Sequence, residues 1–128
     1  MITLIDDKVL EKAVKFHGHL GPFLVLGLKM SLRAKQLLGD TLKKCEVETV
    51  DRKPYLCTVD GIKTVMESSV VIVKEGNGLA AKFIGVDGKE LKMSVKRALV
   101  DKYATGPWEK CEEYAYEVIR SDDKQLFE

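Results

Sequence analysis

Residues 23–30, Phe-Leu-Val-Leu-Gly-Leu-Lys-Met, constrain this chain more than any other stretch. They would be apolar on nearly every side of a helix. Pro22 suits the first helical position, where its missing N–H has no partner to lose. Gly39 suits the terminator of a helix running to about Leu38. A helix apolar almost all round has no solvent face, so it belongs at the centre of a core or in an oligomer interface. The rest of the chain must wrap it. At 128 residues and 45% hydrophobic content the chain can do so as one domain, 1–128, without disulfides. No internal repeat, low-complexity tract or linker divides it.

Charge and composition remove several function classes. Lys and Arg total 21 against 20 for Asp and Glu. That balance does not mark a nucleic-acid binder, which would carry a basic stripe. No apolar run approaches the roughly 20 residues that span a bilayer. The start, Met1 to Lys8, lacks the basic and apolar regions of a signal peptide. Three cysteines in such a chain read as thiols in a reducing cytoplasm.

Periodicity orders the remaining elements. Val9, Leu10, Ala13, Val14 and His17 recur at helical spacing, so a first helix is expected from Asp6 to about Phe16, stopped by Gly18. Cys45, Val47 and Thr49 alternate with Glu46 and Glu48, as on a half-buried strand. Tyr55 to Asp60 reads as a short strand and Asp60 to Met66 as a short helix. Val70 to Lys74, Leu79 to Val86 and Glu90 to Val95 read as a meander, turned at Gly76-Asn77-Gly78 and Asp87-Gly88. Lys92 to Lys102 reads as a solvated face. Pro107 opens a last helix, with Trp108, Cys111, Tyr114, Ala115 and Val118 on one stripe. Trp108, Tyr114 and Tyr116 read as packing the last helix, or a subunit interface, rather than stacking a cofactor. The expectation is α+β, a helical N-terminal segment on a mixed, mainly antiparallel sheet.

The chain has only two histidines, His17 and His19, set in a Gly-rich junction between two helices. A loop opened by Gly18 lets both imidazoles point at one ion. A histidine at a helix end can equally just cap carbonyls. Cys57-Thr58-Val59-Asp60 places a thiol and a carboxylate three residues apart, and either can complete a site begun by the histidines. The plainer reading is a buried cysteine and a helix-capping aspartate. Cys45 and Cys111 read as core residues. Gly76 to Ala81 lacks the Lys-Ser/Thr of a phosphate loop.

The run Phe16-His17-Gly18-His19-Leu20-Gly21-Pro22, the apolar Leu24-Val25-Leu26-Gly27-Leu28 and Cys57-x-x-Asp60-Gly61-Ile62 together resemble the FmdE family of formylmethanofuran dehydrogenase subunits. The resemblance covers roughly residues 6 to 105. It implies an α+β fold related in outline to the catalytic domain of glyceraldehyde-phosphate dehydrogenase, and a homodimer. It also implies a transition metal, commonly zinc, held by His17, His19 and Cys57 with Asp60 nearby. Some members belong to the molybdenum or tungsten enzyme that fixes carbon dioxide onto methanofuran, whose chemistry lies in another, metal-pterin subunit.

This chain departs from the family where many members have Cys-Pro-Gly and it has Gly21-Pro22-Phe23. A second cysteine is common after the aspartate, where Glu67-Ser68-Ser69-Val70 stands here. Longer members add a C-terminal zinc module, so this chain reads as a short, stand-alone one. The loss of two thiols favours an open His/His/Cys site that could polarise a carbonyl or activate water, with Asp60 as candidate general base. The alternative is a non-catalytic assembly or binding subunit of a molybdenum or tungsten oxidoreductase. A third reading, thiol chemistry at Cys57, lacks a base oriented toward the sulfur.

Overall fold

Every residue from Pro22 to Ser31 is buried in the computed structural model, which describes residues 2–39, 42–67 and 70–128. These residues form the first half of helix α2 (Pro22–Leu38), which follows α1 (Asp7–His17). Strand β1 (Leu42–Thr49), helix α3 (Cys57–Val65) and strand β2 (Val70–Glu75) come next. Strands β3 (Leu79–Gly85) and β4 (Glu90–Ser94) lead to α4 (Arg97–Thr105). A 3-10 turn (Trp108–Lys110), α5 (Cys111–Arg120) and α6 (Asp123–Leu126) finish the chain. The class is α+β, as expected. Helix α1 falls within one residue of its expected bounds, and α2 at them. Among the described residues no helix is long and apolar enough to cross a membrane.

The four-stranded sheet has the order β2-β1-β3-β4. β1 pairs with β2 in parallel and with β3 antiparallel, and β3 pairs antiparallel with β4. Cys45, Val47 and Thr49 are fully buried, as their alternation predicts, and Leu79, Ala81 and Phe83 of β3 join them in the core. The Asp87-Gly88 turn also forms, with Gly88 at φ +87° and its N–H on the Gly85 carbonyl.

The expected three-strand meander does not form. β2 and β3 are not neighbours, because β1 lies between them. α3 provides the crossover that a parallel β1–β2 pair requires. Residues 76–78 then carry the chain over the end of β1: Gly76 donates its N–H to the Thr49 carbonyl, 2.9 Å away. A Cβ on Gly76 would come within 2.6 Å of the Glu48 side chain. The glycine therefore serves a close passage over a strand end rather than a hairpin.

Two further expectations fail. Tyr55 to Asp60 holds no strand: the Cys57 N–H meets the Pro54 carbonyl and the Thr58 N–H the Tyr55 carbonyl, winding the chain directly into α3. A segment that short shows no period to separate strand from helix. Lys92 to Lys102 is not only a solvated face, since Arg97 onward forms α4 and buries Val100 and Tyr103.

The α2–α3 crossing positions everything that follows. A Cβ on Gly27 would lie 2.2 Å from the Thr58 carbonyl oxygen, and one on Gly61 would lie 2.3 Å from that of Leu24. The helices meet backbone to backbone at these glycines. Ala13 of α1 packs with the buried Leu24 and Leu28 of α2.

Candidate metal centre

α1 ends at His17 because Gly18 turns left-handed, at φ +111°, and returns its N–H to the Val14 carbonyl at 2.7 Å. The chain then reverses through His19 and Leu20 into α2. The turn brings the two imidazole centroids to 4.6 Å. Gly21, the residue capping α2, is needed there: a Cβ would come 2.9 Å from Cys111 Sγ and 3.4 Å from His19 Nε2. The glycine crossing sets the first turn of α3 beside this junction. One donor atom each from His17, His19 and Cys57 then lies within 4.8 Å of the others. Donors around a tetrahedral zinc stand about 3.4 Å apart, so these side chains need to draw in by no more than about 1.5 Å.

Asp60 follows Cys57 on the same face of α3, three residues on. Its Oδ2 accepts from His17 Nδ1 at 2.6 Å. That contact leaves His17 Nε2 as the free ring nitrogen. It is buried and has no hydrogen-bond partner among the described residues. Buried polar atoms are nearly always paired, and an orphan costs about 1–3 kcal/mol. A carboxylate on one imidazole nitrogen and nothing on the other is how metal-ligating histidines are supported. Two imidazoles and a thiol are also the borderline-soft donors that a transition metal takes.

The electrostatics agree with that fit. His19 sits below its ordinary pKa, first because of burial, then because of His17 and Lys53. Its lone pairs are therefore available at neutral pH. Burial is also the largest cause raising the Cys57 thiol, with Asp60 and Cys111 adding to it and Lys53 opposing. Without a metal Cys57 is a thiol, and metal binding must displace its proton. Cys45, as expected, is a core residue, its thiol pushed by burial to about 12.

His19 and Cys57 also line a cavity of about 160 Å3. Of the two expected roles of Trp108, packing within the last helix fails: it is 72% exposed, and its ring lies 5.2 Å from that of His19. Tyr114 lines the same cavity. Cys111, expected in the core, is half-buried at the cavity wall, its Sγ 3.6 Å from the Leu20 carbonyl. No spacing in the sequence connects residues 108–114 with residue 57, because long-range packing alone brings them together. Ser68 and Ser69, where the family's second cysteine would stand, lie outside the described residues.

No curated protein matches this chain in sequence. The model of one protein family, described as "FmdE, Molybdenum formylmethanofuran dehydrogenase operon", matches residues 16–128. That span takes in His17, His19, Cys57, Asp60 and the whole sheet, and on it the chain belongs to the FmdE family.

Proposed function

We propose that this chain is a small, cytoplasmic, transition-metal-binding protein of a formylmethanofuran dehydrogenase-type system, with His17, His19 and Cys57 as ligands and zinc as the metal. The observation that carries this reading is the orphaned, buried His17 Nε2 behind an imidazole whose Nδ1 is already held by Asp60. When bound, the metal would supply Lewis acidity toward a donor atom of a small ligand. The chain's own residues do the rest. Asp60 is a positioning residue, fixing the tautomer and plane of His17 through the Nδ1–H bond. That engagement favours positioning over general-base work at the same oxygen. The raised Cys57 thiol argues against a free nucleophile, because without a metal the sulfur keeps its proton.

Elemental analysis of purified protein tests the reading. Wild type is expected to hold about one metal per chain, and His19→Ala and Cys57→Ala none. Asp60→Asn should keep the site with about 10- to 100-fold weaker affinity. Wild type that takes up no zinc, cobalt or nickel on titration would overturn it.

A second reading, a non-catalytic assembly subunit of an oxidoreductase, is supported by β2. This edge strand exposes Val70 (57%), Ile72 (37%) and Val73 (42%), apolar surface that a homodimer or a larger partner would cover. Sedimentation of wild type beside Ile72→Lys distinguishes a dimer through this edge from a monomer.

A further inference from the structure

We infer that the cavity beside the histidines binds a one-ring planar anion, an aromatic or heteroaromatic carboxylate, with its charge toward Lys53. This deepens the metal-centre reading by naming the class of ligand, but the cavity itself is complete without a metal.

Size sets the first limit. A cavity of about 150 Å3 holds a benzene molecule, and this one measures about 160 Å3. One ring fills it, and a fused two-ring system or a nucleotide would extend past its walls. The walls set the second. Pro54 and Pro107 face it, with the rings of Phe23, Trp108 and Tyr114. Tyr114 is held against Tyr103 with centroids 5.3 Å apart. Flat, rigid walls of this kind favour a flat ligand through offset and edge-to-face contacts.

Charge sets the third limit. Among the described residues no aspartate or glutamate lines the cavity, and Lys53 is the one lysine or arginine that does. Lys53 has no ion-pair partner among the described residues, and its field already acts on both His19 and Cys57. The first turn of α2 also borders this space through Pro22 and Phe23, and a helix start carries partial positive charge. Asp60, the nearest carboxylate of the centre, is turned to His17 and does not line the cavity. An apolar recess with one cation and one helix start on its wall and, among the described residues, no carboxylate selects an apolar ring that carries an anion.

Trp108 is the chain's one tryptophan, so its emission reports the cavity directly. Benzoate is titrated into metal-free and zinc-loaded protein, beside benzyl alcohol as neutral analogue and 2-naphthoate as oversized one. Benzoate is expected to shift Trp108 emission saturably in both forms, with benzyl alcohol at least tenfold weaker and 2-naphthoate not binding. Lys53→Met, an exposed position, should weaken benzoate about tenfold and leave benzyl alcohol unchanged. Ala104→Leu, which fills the cavity, should abolish both while zinc stoichiometry stays at the wild-type value. No saturable benzoate signal, equal benzoate affinity in Lys53→Met, or 2-naphthoate binding as tightly as benzoate would each overturn the inference. Benzoate binding to a protein that takes up no metal would sink the metal reading alone. Metal uptake without benzoate binding would sink this inference alone.

Discussion

Helix α2 has a polar cluster at each end, and the two clusters are built in opposite ways. Toward its C-terminal half Lys29 is fully buried, and its Nζ donates to the Ser121 carbonyl at 3.2 Å. Arg33 donates to Asp123 Oδ2 at 2.6 Å, and Thr3 gives that carboxylate both its N–H and its hydroxyl. Each of these groups has a partner, supplied by segments from both ends of the chain. At the N-terminal end Asp60 satisfies one nitrogen of His17 and the other is left bare. Burial costs both clusters solvation. The first recovers it within the protein and is structural. The second leaves it unrecovered within the protein, and on the proposed reading a bound ion recovers it.

The comparison breaks most severely at Asp123. Asp123→Ala leaves Arg33 and Thr3 without their carboxylate and removes the negative charge that acts on buried Lys29, and is expected to cost about 3–5 kcal/mol in urea unfolding with metal binding unchanged in the folded fraction. Gly61→Ala should act on the other end. The added methyl has no room against the Leu24 carbonyl, so α3 must lift from α2. A loss of about 2–3 kcal/mol is expected, and metal affinity should fall with it, since Cys57 and Asp60 ride on α3. A Gly61→Ala protein with wild-type metal affinity would show that the crossing does not set the site.

His17→Phe sharpens the contrast. It removes the orphaned nitrogen and keeps the ring, and leaves Asp60, 35% exposed, to water. Metal-free stability should stay level or rise by up to about 1 kcal/mol, while metal binding is lost. A drop as large as that of Asp123→Ala would place His17 among the structural residues.

The smallest effect is a pH dependence. His19 has a folded pKa below its ordinary 6.5. Its neutral form is thus the one the fold favours, and its contribution is complete above 6.5 and lost as pH falls below that value. Metal-free protein should destabilise on acidification from pH 7 to 5.5 more than His19→Gln does, as measured by thermal unfolding.

Much of this contrast was legible in the residues. The apolar Phe23–Met30 run places α2 at the centre, and Gly18 and Pro22 bound the junction that carries both histidines. The alternation at Cys45, Val47 and Thr49 gives the buried face of β1. Strand order was not legible. Gly76-Asn77-Gly78 has hairpin composition, but the α3 crossover and the hydrogen bond to Thr49 decide where β3 goes. The start of α3 was hidden in a segment too short to show a period. Lys29 looks like an error in an apolar helix until Ser121 and Asp123 are folded against it. Cys111 and Trp108 reach the cavity through the packing of α5 on α2, which no local pattern encodes.

If His17, His19 and Cys57 are the ligands, as proposed, the glycine crossing has a consequence for selectivity among metals. With Gly27 and Gly61 in backbone contact, α2 and α3 shift as one body, and α1 is packed on both. Cys57 and His17 are thereby held like two fixed jaws, the second locked by Asp60. His19 is mounted differently, on the short tether after Gly18, whose surroundings are open. On that reading, adjustment to ions of different radius or preferred geometry would fall on that single ring, and the other two donors would set a gauge that an ion must meet.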